Sequence, residues 1–325
     1  MALTLVRADT LLDGTGAPAI RGDAAVLIED GTIREVGRSS AVTAPASAEI
    51  VQLEDATIVP GIVDGYVHLI LGTPGDPFHQ LAQRDQQRMF AWGAANALAC
   101  LAAGLTTIFD CGGPGDATIQ LRDAFQDGLV SGPRVLAAGA RIMTTAGHCH
   151  WLGETIEYLD YDDAVARQMG QQGTYVDFNI GGAIGRLRGR DGVPREWPYG
   201  ETVPETRWEI GRQMQRYGVR VYLTSDAIGR AYDTLPRNVI SMPERFGEAP
   251  ADLISRITSV PAQALGLEEQ IGTIRPGLSA DLLVVRGDAE RDLSGLARPE
   301  LVFLRGELVA ERGRVSLPSR HTGSP

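Results

Sequence analysis

The stretch Ile58-Val59-Pro60-Gly61-Ile62-Val63-Asp64-Gly65-Tyr66-Val67-His68-Leu69 constrains this chain more than any other. An apolar run is interrupted by Pro-Gly, resumes as Ile-Val, and then delivers an aspartate, a tyrosine and a histidine. Near-continuous apolar runs belong to strands covered on both faces, as parallel sheets require. Residues two apart on a strand point the same way. Tyr66 and His68 therefore share a side at the end of a buried strand.

The middle of the chain alternates strand and helix. Strands are expected at Thr57–Val63, Leu105–Asp110, Arg134–Ala140, Thr155–Tyr158, Thr174–Asn179 and Val219–Thr224. Helices are expected near Leu81–Ala103, Ala117–Asp127, Asp162–Gln172, Glu205–Tyr217 and Pro250–Leu265. Such repetition implies a parallel sheet with covered faces, and the C-terminal strand ends are where barrel enzymes place their chemistry. The count stops at about six strands, whereas a (β/α) barrel closes with eight and typically takes ~250 residues. Both ends of the chain read differently. Ala24–Gly37 is a hairpin turning at Asp30-Gly31, and Leu301–Val309 is another. Neither end is long enough to make a good sheet alone, so the two together are expected to build one small β domain.

Composition limits the partners. The 325 residues are 43% hydrophobic and 22% charged, with a net charge of −11. That balance is globular and argues against nucleic acid and anionic membranes. No apolar run approaches the roughly 18–20 residues of a membrane helix, and no signal-peptide pattern opens the chain, so a cytoplasmic location is expected. Three cysteines, Cys100, Cys111 and Cys149, form neither a disulfide framework nor a zinc knuckle. The chain contains no lysine. It therefore has no Schiff-base former and no side chain to carbamylate, and arginine replaces it in neither role.

The Pro-Gly-Ile-Val-Asp-Gly-Tyr-Val-His segment resembles the first-strand motif of the amidohydrolase superfamily, whose strand ends in His-x-His. Further segments follow in family order. Ala103–Asp110 is similar to the second strand, Gly132–Leu136 to the third, and Thr144–Gly153 to the loop after it in the imidazolonepropionase-like and prolidase-like branch. Thr224-Ser225-Asp226-Ala227 is similar to the end of strand eight, and Gly272–Leu282 to the C-terminal sheet signature. Glu154–Tyr158 resembles the strand-six segment, which directly follows the third-loop segment here, as if an internal stretch of roughly two βα units were deleted. The resemblance implies an α/β fold: a TIM-type (β/α) barrel shortened to about six strands, plus a small β-sandwich formed by both chain ends. Residues 1–56 and 266–316 would make the sandwich, 57–265 the metal-dependent-hydrolase barrel, and 317–325 a tail.

By the same resemblance, His68 and Asp226 are metal ligands, Asp226 is the general base, and His148 and His150 contact substrate. A divalent metal, zinc by expectation, would be the cofactor. Tyr66 and Tyr158 stand where the family has histidine ligands, which leaves a degraded metal site. Catalytic zinc usually takes three protein ligands. A site of His68, Asp226 and one of His148 or His150 is one arrangement; the favoured one leaves both histidines to the substrate. Asp64 and Asp110 are read as carboxylates that hydrogen-bond strand ends and loops, Cys111 and Cys149 as ordinary rim thiols, and Arg186, Arg188 and Arg190 as a solvated loop. His79 and His321 receive no role. The implied activity is hydrolysis of C–N bonds in small amides by metal-activated water. The alternative is a non-catalytic relative, a pseudoenzyme or internally truncated member. Open barrel edges would pair with a second copy and give a homo-oligomer.

Overall fold

The computed structural model describes residues 2–71, 86–113, 115–139, 163–180, 205–228 and 232–316. Of these, side chains 205–207 and 228 are left undescribed. Five strands come first: β1 (Leu3–Leu11), β2 (Ile20–Glu29), β3 (Thr32–Arg38), β4 (Glu49–Gln52) and β5 (Ala56–Pro60). The last four are β12 (Leu282–Arg286), β13 (Leu301–Leu304), β14 (Glu307–Glu311) and β15 (Arg314–Val315). All nine share one sheet, ordered β15-β14-β13-β12-β5-β1-β2-β3, with β4 paired to β1. The seam between the two ends of the chain is the antiparallel β5–β12 ladder, Pro60 opposite Leu282 through Ala56 opposite Arg286. Its apolar face packs Val6, Val26, Ile58, Leu282, Val284 and Phe303 into one core.

The expected hairpins form, and their turns explain each other. Asp30 and Gly31 have φ of 47° and 82°, and Arg305 and Gly306 have 52° and 77°. Two positive φ values in a two-residue loop match the right-handed strand twist. The two turns touch. A Cβ on Gly31 would lie 2.6 Å from the Arg305 carbonyl oxygen, and one on Gly306 would lie 2.8 Å from Gly31 Cα.

The parallel strands are β6 (Ile62–His68), β7 (Leu105–Asp110), β8 (Arg134–Ala137), β9 (Tyr175–Asn179), β10 (Arg220–Thr224) and the short β11 (Ala227–Ile228). Helices α1 (Gln86–Ala102), α2 (Ala117–Gln126), α3 (Asp163–Gln171), α4 (Glu205–Arg216), α5 (Thr234–Asn238), α6 (Met242–Phe246), α7 (Pro250–Arg256) and α8 (Ser259–Ala264) accompany them. Strands pair in the order β11-β6-β7-β8, and β9 pairs with β10 in a separate parallel ladder. The fold is mixed α/β, and no closed barrel is formed among the described residues. The two ladders meet where the chain leaves β10: Ala227 pairs with Val67, and Ile228 with His68. Behind them lies the main core, which includes Ile62, Leu101, Leu105, Leu121, Leu223 and Leu253. The rings of Phe178, Trp208 and Phe246 meet with centroids 5.6–5.8 Å apart between β9, α4 and α6, Phe246 standing edge-on to the other two.

Three sequence expectations change. The strand read at Thr57–Val63 is two strands. β5 ends at Pro60 and belongs to the large sheet, and β6 begins at Ile62 and opens the parallel one. Between them the Gly61 amide donates to the Asp281 carbonyl (2.8 Å), which turns the chain from one sheet to the other. The helix read at Pro250–Leu265 is likewise two, broken at Ile257-Thr258, where the Ile257 carbonyl accepts from the Val63 amide at 2.8 Å. The Arg134–Ala140 strand ends at Ala137. The strand expected at Thr155–Tyr158 lies outside the described residues.

Candidate functional site

β6 delivers its polar residues at the end of a strand whose other residues are almost all buried. His68 is 4% exposed. Its Nδ1 lies 3.2 Å from the Gly112 carbonyl oxygen, and its own carbonyl accepts from the Tyr232 hydroxyl at 3.0 Å. A carbonyl oxygen only accepts, so Nδ1 carries the hydrogen and Nε2 is turned toward the opposite side. There it meets Asp226, with Nε2 and Oδ1 3.4 Å apart. Asp226 follows β10 and sits at φ 50°, in the left-handed region. Its amide donates to the Tyr66 carbonyl at 2.9 Å. The Tyr66 ring stands edge-on to His68, centroids 5.4 Å apart at 84°.

The surrounding carboxylates serve the backbone. Asp110, buried at the end of β7, accepts from the Gly112 amide (2.8 Å) and the Leu69 amide (2.7 Å). It thereby caps the loop as expected, and it presents the Gly112 carbonyl to His68. Asp64 is 0% exposed. Its Oδ1 accepts from the Tyr66 and Ser225 amides, each at 3.2 Å. Burial pushes its carboxyl up to about 7, against the lowering effect of those donors. Burial first, and Asp110 second, push the Cys111 thiol up to about 12. A thiol held protonated in this way is no nucleophile, so the ordinary reading of Cys111 stands.

Sequence reasoning missed a second row of residues. Asp177 on β9 accepts from the Thr224 hydroxyl and contributes to the upward shifts of Asp64, Cys111 and Tyr222. The ring of Tyr222 fills the space over Gly65, where a Cβ would lie 2.7 Å from it. Alternation along Tyr175-Val176-Asp177-Phe178-Asn179 was the available signal, since it sets Asp177 and Asn179 on one side of the strand. His148, His150, Tyr158, Cys149, His79, His321 and the Arg186, Arg188 and Arg190 loop lie outside the described residues.

The donor set can be tested against a divalent metal. Two donors on a tetrahedral ion with bonds of about 2.0–2.1 Å stand about 3.4 Å apart, which is the separation of His68 Nε2 and Asp226 Oδ1. The Gly112 carbonyl supplies the outer partner that a ligating histidine normally has. These two side chains therefore fit one cation as part of its shell. No group of three or more His, Cys, Asp or Glu residues that could hold a metal ion occurs among the described residues.

The comparisons with known proteins agree with this architecture. The model of the amidohydrolase family matches residues 201–309, which include Asp226 and β12. Imidazolonepropionase from Salinispora tropica is 36% identical over 80 residues, 25% of this chain and 19% of that protein. The chain thus matches only about a fifth of that relative's length. Among solved structures, an amidohydrolase superposes with a TM-score of 0.76 at 20% identity, over 98% of this chain and 100% of the other. A Xaa-Pro dipeptidase with methionine bound in its active site superposes with a TM-score of 0.70 at 19% identity, over 95% and 100%. Sequence and fold are thus both similar to the amidohydrolase superfamily. The chain's likenesses fall in the imidazolonepropionase- and prolidase-like branch.

Proposed function

We propose that this protein hydrolyses C–N bonds in small molecules, such as dipeptides, N-acyl amino acids or cyclic amides, at the site built on His68 and Asp226. The observation that carries the reading is the 3.4 Å approach of His68 Nε2 to Asp226 Oδ1, with the imidazole already oriented by Gly112. His68 and Asp226 would hold a divalent ion, zinc by expectation, which when bound lowers the pKa of water and polarises a carbonyl. Asp226 takes a proton from the attacking water as its oxygen bonds to the carbonyl carbon. It returns that proton to the nitrogen as the C–N bond breaks. His148 and His150 are assigned to the substrate's carbonyl or carboxylate.

The same proposal covers the architecture. Residues 57–265 are read as a barrel shortened to about six strands, with 1–56 and 266–316 as a composite β-sandwich and 317–325 as a tail, except that β5 pairs within the sheet of the chain ends and moves the first boundary to Gly61. The shared sheet and common core of the two chain ends support a composite β domain. The two parallel ladders joined at β11 support the barrel. Homo-oligomerisation through open strand edges and a cytoplasmic location belong to the same reading. Among the described residues no helix is long and apolar enough to cross a membrane.

A second reading is favoured by Tyr66. Its phenol stands against His68 where the family resemblance places another imidazole. With a reference pKa near 10 it is a poor ligand at neutral pH. Together with Tyr158, this supports a non-catalytic relative. Elemental analysis of protein purified without chelator separates the two. About one zinc, iron or manganese per chain, with chelator-sensitive release of amine from N-acyl amino acids or dipeptides, is the outcome for a hydrolase. Metal well below one per chain and no turnover would end that reading.

A further inference from the structure

We propose that Asp64 and Ser225 are positioning residues that hold Asp226 in its left-handed backbone conformation and so fix its carboxylate in front of His68. The inference deepens the functional reading above and rests on it for the purpose of the carboxylate. Its conformational part stands on geometry alone.

Asp226 has φ 50°, a region in which an L side chain crowds its own backbone and which glycine enters freely. A glycine would satisfy the backbone there and lose the carboxylate, so conformation and chemistry ask for different residues. The surrounding hydrogen bonds resolve that conflict. The Ser225 amide, on one side of Asp226, donates to Asp64 Oδ1 at 3.2 Å. The Ala227 amide, on the other side, donates to Ser225 Oγ at 3.0 Å. The Asp226 amide itself is taken by the Tyr66 carbonyl at 2.9 Å. Asp64 Oδ1 also accepts from the Tyr66 amide at 3.2 Å.

One buried carboxylate therefore ties the end of β6, which carries His68, to the turn that carries Asp226. Asp64 and Ser225 are 0% and 2% exposed, so water does not replace these bonds when one is removed. Strain of this kind persists only where the surroundings over-determine it, and functional sites are where it collects.

The test is a double-substitution cycle on the full chain: Ser225→Ala, Asp226→Gly and the two together, read by thermal unfolding. Ser225→Ala should lower Tm by about 4 °C in the wild-type background and by less than half as much in the Asp226→Gly background, because glycine needs no clamp. Equal losses in the two backgrounds overturn the proposal. Should Ser225→Ala alone not fold, the double variant must still fold, and its failure also counts against the clamp. Zinc titration by calorimetry gives a second readout. Ser225→Ala should weaken zinc binding about tenfold, whereas Asp64→Asn, which keeps the acceptor oxygen, should restrict the loss to about threefold. Unchanged affinity in Ser225→Ala would show that the clamp does not aim the carboxylate. If the wild-type chain takes up no zinc, the metal reading fails and the unfolding cycle alone decides the conformational claim.

Discussion

Arg134 on β8 places Nη1 2.6 Å from Oδ2 of Asp281, just ahead of β12, with the two side chains 16% and 3% exposed. Arg134 also reaches the Thr107 hydroxyl at 3.0 Å. Asp281 Oδ1 accepts from the Arg305 amide and the Ser279 hydroxyl, both at 2.8 Å. This ion pair joins the start of the parallel sheet to the sheet made by the chain ends. Removing one partner of a buried pair leaves the other charge uncompensated. Arg134→Met should therefore cost about 3 kcal/mol in urea unfolding, near the low end for such pairs because Asp281 keeps two donors. Adding Asp281→Asn should recover more than half of that loss.

Tyr66→His is expected to raise zinc content. The substitution changes little but the ring, since the Tyr66 amide is held by Asp64 and its carbonyl by the Asp226 amide. An imidazole there would stand beside His68 and supply a donor that deprotonates easily at neutral pH. Zinc per chain, measured after dialysis against a defined metal buffer, should rise toward one. No rise would mean that a donor at this position is not what limits metal uptake.

Much of the scaffold was legible because it depends on local chemistry. Asp30-Gly31 announces a hairpin through the φ values its turn needs, and Asp110 caps its own loop, two residues away from Gly112. The site was legible only by family likeness. Nothing in the spacing of His68 and Asp226 says that β11 will pair with the end of β6 and bring them together. The split at Pro60-Gly61 was missed because the residues on either side are equally apolar. What separates them is the partner each finds, β12 for one and β7 for the other. Ser225 carries no sequence signal of its own, and the role proposed for it depends on a carboxylate far away in the chain.

Gly61 is where the two sheets part, and its lack of a side chain is required. A Cβ there would lie 2.1 Å from Thr106 Oγ1 and 2.6 Å from its Cγ2. Thr106 is β-branched and 1% exposed, so it has no free rotamer to retreat into. Gly61→Ala should destabilise the fold by about 2 kcal/mol, in the range of overpacked cores. Combining it with Thr106→Ala, which removes both nearest atoms, should return part of that loss in chemical denaturation.

The ionisation of Asp64 should leave its mark on the pH dependence of stability. Oδ1 accepts from the Tyr66 and Ser225 amides, and Oδ2 is buried without a partner among the described residues. Deprotonation therefore places charge on an oxygen that no described residue solvates, and burial lifts the carboxyl from 3.8 to about 7. Between those two values the native state holds a proton that the unfolded chain has released. The stability that this group contributes is thus fully present below pH 3.8 and is lost as the pH rises through about 7, after which it stays level. Asp64→Asn is neutral throughout and keeps an acceptor oxygen for Ser225 and Tyr66. The Tm of Asp64→Asn minus that of the wild type should therefore increase from pH 5 to pH 8. A difference that stays flat over that interval would show that Asp64 carries its charge at pH 5 as well, with some group stabilising Oδ2.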